Sequence, residues 1–310
     1  MKDSIDFGTT KVSSLFSKLL MPTLLGMVSS ALFVITDGIF VGRGLGSDAL
    51  AAVNIVAPLF LINTGIGLMF GVGASVVASI HLSHGKPKTA RINVTQAVIA
   101  LSMLVAAFSA LIVWRAPGVA CLLGSSERLL VPAVEYIYGA VPFFVFSAML
   151  SAGMFYIRLD ASPRYAMMCN VVPALLNIVL DYLFIFVFHW GVIGAAVATS
   201  LGYIAGAGMV MWYMLMMGRT IKLCRVKTHL RSLRMTRRNV GYMCRLGFPS
   251  LLCEAAIATM MFAGNYVFIA YLGEDGVAAY SIACYVFPII FMVYNAIAQS
   301  AQPILSYNYG

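Results

Sequence analysis

The chain has 310 residues, of which 61% are hydrophobic and only 10% charged, with 20 Lys and Arg set against 11 Asp and Glu. So few ionisable side chains cannot cover the surface of a soluble domain of this size, which excludes a soluble globular protein. A mean hydropathy of +0.93 and apolar runs of about twenty residues, the length that crosses a hydrocarbon core about 30 Å thick, leave an all-α polytopic membrane protein.

The polar start, MKDSIDFGTTKVSS, leads into an apolar run too long for a cleaved signal, and no A-x-A site follows it. That run opens a series of eight predicted spans at 15–41, 51–80, 92–114, 131–157, 165–188, 192–217, 246–271 and 277–305. The expected organisation is an N-terminal six-helix bundle over 1–218, a basic cytoplasmic linker over 219–245, and the first two helices of a second bundle over 246–310.

Charge placement gives the orientation. With the N-terminus cytoplasmic, the inner segments hold Lys2, Lys11 and Lys18, then Lys86, Lys88 and Arg91, then Arg158 and Arg164, then nine more from Arg219 to Arg245. The outer loops hold only Arg43, Arg115 and Arg128, a 17 to 3 split. The net charge of +9 is thus a topology device. The run GRTIKLCRVKTHLRSLRMTRR lacks interleaved aromatics and sits beside spans, so its expected neighbour is anionic lipid and not nucleic acid. The six cysteines form no C-x-x-C pair and read as small apolar packing residues.

Polar residues inside spans point to function. The stretch LLNIVLDYLFIFVF, 175–188, carries Asn177 and Asp181, although a carboxylate near the middle of a spanning helix costs about 2.5 to 3.5 kcal/mol. The two are four residues apart and share one helix face. Asp37 stands near the outer end of the first span, so Asp37 and Asp181 are expected at similar depth; the alternative for Asp37 is a helix-end residue facing headgroup water. Thr199 in the sixth span can bond its own helix carbonyl. Glu254 is the third acid within a span. Tyr136, Asn54, Asn63 and Asn295 are candidate cavity-lining residues, with interfacial anchoring or helix-to-helix bonding as the alternative. Pro22, Pro58, Pro142, Pro173, Pro249 and Pro288 permit kinks, and Gly38/Gly42, Gly67/Gly71 and Gly202/Gly206 are G-x-x-x-G pairs that allow close helix contact. No Lys or Arg is expected deep in a span. There is no G-x-S-x-G, no Walker A and no H-E-x-x-H, so an enzyme is not the expectation, and no metal or cofactor site is read.

An internal repeat dominates the sequence. PTLLGMVSSALFVITDGIFVGRGLGSDALAA from Pro22 aligns without gaps to PSLLCEAAIATMMFAGNYVFIAYLGEDGVAA from Pro249, an offset of 227 with nine of 31 positions identical. Six spans separate the copies, an even number, so both point the same way through the membrane about an axis along its normal, a plan typical of secondary transporters. The second copy stops after two spans, so the chain is expected to be a fragment or the product of a shortened gene.

DGIFVGRGLGSDALAAV, GVGASVVASIHLSHGKPKTAR, IRLDASPRYAMMCNVVPALLNIVLDYLFIF, GVIGAAVATSLGY and AAYSIACYVFPIIFMVYNAIAQSAQPILSYNYG together resemble the multidrug and toxic compound extrusion (MATE) transporters, over nearly the whole chain. The resemblance implies two six-helix bundles forming a V around a central cavity, and export of amphipathic or cationic small molecules driven by H+ or Na+. It places a cation or proton site at Asp37, Asn177, Asp181 and Thr199, with Glu254 as a second-bundle acid. Burial and a like-charged neighbour both favour the protonated form of a carboxyl, and the same oxygens are hard ligands for a small cation. A monomer in the plasma (inner) membrane is expected for the full-length protein. The alternatives are a lipid or polysaccharide-precursor flippase, or a shortened chain that transports nothing.

Overall fold

In the computed structural model, which describes residues 11–224 and 230–309, the chain is built of helices joined by short turns, and no strand occurs among the described residues. The solvent dictates this: a backbone in hydrocarbon has to satisfy its own N–H and C=O groups, and a helix does so within one segment. The helices are α1 (Val12–Leu45), α2 (Ser47–Ser83), α3 (Pro87–Trp114), a short α4 (Ala116–Leu122), α5 (Glu127–Ala140), α6 (Phe144–Leu159), α7 (Pro163–Asp181), α8 (Gly191–Trp212) and α9 (Leu230–Tyr309). Pro87 and Pro163 open α3 and α7, where a missing N–H costs no intrahelical bond.

Seven segments among the described residues are long and apolar enough to cross a membrane, the last being Arg234–Phe268. They overlap the first seven predicted spans, but the seventh begins at Arg234 and not at 246, and the helix that carries it starts at Leu230, inside the stretch expected as a linker over 219–245. The eighth, 277–305, falls in the helical backbone of α9; the side chains of 281–291, Cys284 and Pro288 among them, lie outside the described residues, as does segment 225–229 of the basic linker. The described cysteines are all unpaired.

Two further features differ from the sequence reading. The fourth span runs over Glu127–Leu159, not 131–157, and is not one smooth helix. Pro142 lacks an N–H donor, and α5 and α6 meet there in a 3-10 turn, Val141–Phe143. The outer loop after α3 contains α4, which no apolar periodicity announces.

The repeat is visible in the backbone. Gly46 separates α1 from α2 with φ 92 and ψ 178, and Gly273, its counterpart, breaks α9 with φ 67 and ψ −158. A side chain is disfavoured at positive φ with extended ψ. The two matched L-G-x-D turns therefore use the same glycine in the same way.

The first six spans pack into one bundle with α2 at its centre, touching α3, α5 and α6, while α7 lies between α1 and α8. Small residues set the spacing. A Cβ at Gly67 would stand 3.0 Å from the Ala148 carbonyl oxygen, and one at Gly71 2.9 Å from Ala152 Cα, so α2 and α6 are in backbone contact. A Cβ at Gly202 would stand 3.3 Å from the Pro173 carbonyl oxygen, and one at Gly206 2.9 Å from Pro173 Cγ, which draws α8 onto α7. Gly42 does not draw a second helix close in this way, because a Cβ there would meet only Leu50 at an ordinary 3.6 Å.

α9 joins this bundle mainly along α2. A Cβ at Gly73 would overlap the Met243 carbonyl oxygen, and one at Gly247 that of Met69. At the same end of the molecule Leu15 and Leu19 of α1 pack on Ile304.

Candidate functional site

Asp181 is the last residue of α7, and the chain continues as a π-helical turn, Tyr182–Val187. The wider turn shows in the Phe188 N–H donating to Leu183 O, five residues back, at 2.8 Å. Such turns concentrate at functional sites, and nothing in the apolar run LFIFVF distinguishes it from α-helix. Asp181 is 0% exposed. Asp37 of α1 is also buried and faces Asp181 side chain to side chain, so it is not at a water-facing helix end.

One turn back along α7, Asn177 Nδ2 donates to Thr199 Oγ1 of α8 at 3.4 Å. The close approach of α8 at Gly202 makes this reach possible, since a Cβ there would stand 3.5 Å from Asn177 Cβ. The structure thus brings Asp37, Asn177, Asp181 and Thr199 into one buried cluster. The cluster holds an excess of acceptors: Asp37 Oδ1, Asn177 Oδ1 and both oxygens of Asp181 are buried without a hydrogen-bond donor. A buried polar group left unpaired costs about 1 to 3 kcal/mol, so folding alone gives no reason to gather four of them. Two carboxyls, an amide oxygen and a hydroxyl fit a shared proton or a small hard cation.

The cluster opens on a cavity of about 360 Å³. Asp37, Thr199, Tyr136 and Asn54 line it, with Phe33, Phe60, Met260 and Met261 as apolar wall. Tyr203 lines it as well, beside Asp37 and Ser147. It was legible in principle, standing one helical turn beyond Thr199 on the same face. A second cavity, of about 380 Å³, shares Val34, Leu61 and Ile257 with the first and continues it toward the end where Leu15 meets Ile304. Glu254 and Asn295 line this second part, so Glu254 is near the same space but not in the Asp37 cluster.

Two expectations need correction. Asn63 lines neither cavity: it is fully buried and donates from Nδ2 to Phe144 O at 3.2 Å, tying α2 to the start of α6. Arg158, read as a loop charge, is the penultimate residue of α6, 2% exposed, and lines the second cavity. The span is two residues longer at this end than its hydropathy suggests, and the guanidinium lies in the cavity wall. Arg158 thus stands at the inner end of its span, buried in protein, and not deep within the span.

Sequence reasoning also missed Asp160. Its carboxylate accepts from the backbone N–H groups of Arg219 at 2.7 Å, Thr220 at 2.7 Å and Ile221 at 2.9 Å, and from Tyr213 Oη at 2.8 Å. Arg91 Nε donates to Thr220 O at 2.7 Å. The chain leaving α8 is thereby stapled to the turn between α6 and α7, and no spacing rule connects positions so far apart.

The fold and the site define a multi-pass membrane protein with a buried carboxylate pair at the wall of a cavity between packed helices. The MatE family profile matches residues 22–183, more than half of the chain, and the protein belongs to that family of transporters. It is similar to the multidrug export protein MepA of Staphylococcus aureus, 23% identical over 295 residues covering 93% of this chain and 63% of that one. It is also similar to an FAD transporter of Shewanella oneidensis, 23% identical over 318 residues covering 100% of this chain and 68% of that one. Among solved structures, the MATE multidrug transporter DinF-BH, in complex with a bound dye, superposes with a TM-score of 0.86 at 24% identity, over 100% of this chain and 68% of that chain. An outward-facing multidrug resistance MATE family transporter gives 0.81 at 23% identity, over 95% and 64%. The fold is shared throughout, and the chain spans about 63% of the length of MepA.

Proposed function

We propose that the protein is a secondary active antiporter that exports drugs and organic cations in exchange for H+ or Na+, by alternating access of two helical bundles. The observation that carries this reading is the set of four buried oxygens with no donor, two of the three acidic atoms belonging to Asp181, at the edge of a cavity of drug-sized volume. Two carboxyls facing each other out of water cannot both keep their charge cheaply. A proton or small cation shared by Asp37 and Asp181, with Asn177 and Thr199 as neutral ligands, relieves that repulsion. A cationic substrate entering the cavity relieves it too, so the two compete for one negative site, which is the requirement for exchange.

The likeness to MepA and DinF-BH, both multidrug proteins, supports a small-molecule substrate, and the methionines and aromatics of the wall suit varied apolar shapes. Glu254 supplies a third carboxylate, from the opposite bundle. The 17 to 3 charge split supports an N-terminus on the cytoplasmic side of the plasma (inner) membrane, with the basic linker at anionic headgroups and the transporter acting as a monomer.

The test is transport by purified protein in proteoliposomes carrying ethidium, with either a pH gradient or a Na+ gradient imposed. Efflux driven by one of them and lost in Asp181→Asn is expected. Equal dye movement in the presence and absence of both gradients sinks the reading.

A further inference from the structure

Arg158 carries the inference. The residue is 2% exposed, lines the second cavity, and has no carboxylate within ion-pair distance of its guanidinium among the described residues. Its Nη1 donates to Gln299 Oε1 at 2.6 Å, its Nε has no acceptor, and its carbon centre sits 5.6 Å from the Phe155 ring. A guanidinium has five N–H donors in a planar fork, and a buried charge removed from water is costly unless a counter-charge meets it. One amide oxygen and one ring face leave that requirement open. Glu254, in the same cavity, is not close enough to pair.

Asp37 lines one end of the cavity, and a free-edged guanidinium lines the other, where Glu254 stands beyond pairing distance and Asn170 and Asn295 are neutral polar residues of the wall. We propose that Arg158 is an anion subsite, which binds the carboxylate or phosphate group of an amphipathic ligand occupying the cavity. The fork geometry accepts two oxygens of one planar or tetrahedral anion side by side, and the cavity beyond offers about 380 Å³ for the apolar body. The anionic group belongs either to a zwitterionic exported molecule or to the headgroup of a net anionic membrane phospholipid, whose phosphate, unlike that of phosphatidylcholine, is not already paired with its own choline. This deepens the antiporter reading by naming a chemical group the same cavity takes.

The experiment is equilibrium binding to the purified protein without any ion gradient, so its result is independent of whether gradient-driven efflux is found. The probes are rhodamine 6G and its free acid, which differ only in an ethyl ester replaced by a carboxylate. In phosphatidylcholine nanodiscs the wild type is expected to favour the acid by about tenfold, the size of a charge-assisted bidentate contact. Arg158→Gln removes the preference. Arg158→Lys keeps part of it, and its retention shows that the fold and the cavity are intact.

Replacing part of the lipid by phosphatidylglycerol separates the two sources. If a headgroup fills the subsite, the acid weakens in the wild type and not in Arg158→Gln; if the exported molecule does, the preference persists in both lipids. Either outcome upholds the anion subsite. Equal affinity for acid and ester in the wild type in phosphatidylcholine overturns it, as does a preference for the acid that survives in Arg158→Gln.

Discussion

Ser75 Oγ donates to Gln302 Oε1 at 3.3 Å, and the two residues are 227 positions apart, the same offset that aligns the two halves of the sequence. A residue touches its own repeat counterpart only where the symmetry axis passes between them. The axis of the pseudo-two-fold therefore runs through this contact. Around it, α2 crosses the first arm of α9 at Gly73 and Gly247, and α1 meets the second arm at Leu15, Leu19 and Ile304.

A cysteine pair tests this closure. The double variant Ser75→Cys, Gln302→Cys is expected to cross-link under mild oxidation and to show a faster-migrating band on a non-reducing gel. If the cavity opens at this end during transport, the cross-linked protein loses efflux and regains it with reductant. Failure to cross-link in any condition would mean the two bundles do not meet here.

Asp181→Asn is expected to abolish ion-driven efflux while leaving expression and thermal stability close to wild type, because an amide removes the charge and keeps the shape. Asp37→Asn should behave alike. Thr199→Val is milder, since it removes one hydroxyl whose bond with Asn177 is worth about 1 kcal/mol, and it should weaken ion dependence by less than about tenfold. Proteoliposome efflux ranks the three, and undiminished efflux in Asp181→Asn would remove that residue from coupling.

Gly247→Val places side-chain atoms where the Met69 carbonyl oxygen stands. Backbone on both sides leaves no flexible neighbour to yield, so α2 and α9 have to separate, and overpacking of this kind costs about 1 to 3 kcal/mol. The expected result is a lower Tm in detergent and loss of the Ser75–Gln302 cross-link. Gly241→Val, on the same arm with nothing within 4 Å of its added Cβ, is the matched control and should leave both unchanged.

Asp160→Ala strips the acceptor from three consecutive backbone N–H groups at Arg219, Thr220 and Ile221. The loss should reach about 3 kcal/mol and free the chain after α8. Limited trypsin digestion followed by mass spectrometry reads it directly, as faster cleavage after Arg219. Cleavage at the wild-type rate would show that Arg91, which also holds this segment through Thr220 O, is sufficient alone.

The sequence by itself determined the class, the existence of the first seven spans, the repeat, and the in-span polar residues Asp37, Asn177 and Asp181, while Thr199 entered only through the family resemblance. It could do so because lipid imposes its rules residue by residue: a span needs a length of apolar chain, and an acid inside a span is too costly to be incidental. Four-residue spacing even put Asn177 and Asp181 on one face. Only the tertiary structure decided which polar residues share a space. Asn63 and Asn54 are alike in sequence context, yet one bonds α6 and the other faces the cavity. Arg158 and Asp160 stand only two residues apart, yet one is turned into the cavity wall and the other holds the start of the linker. Those outcomes depend on helix rotation, on the π-helical turn after Asp181, and on glycines that let particular helices touch. Each is set by packing between segments distant in the chain, which no local pattern of residues records.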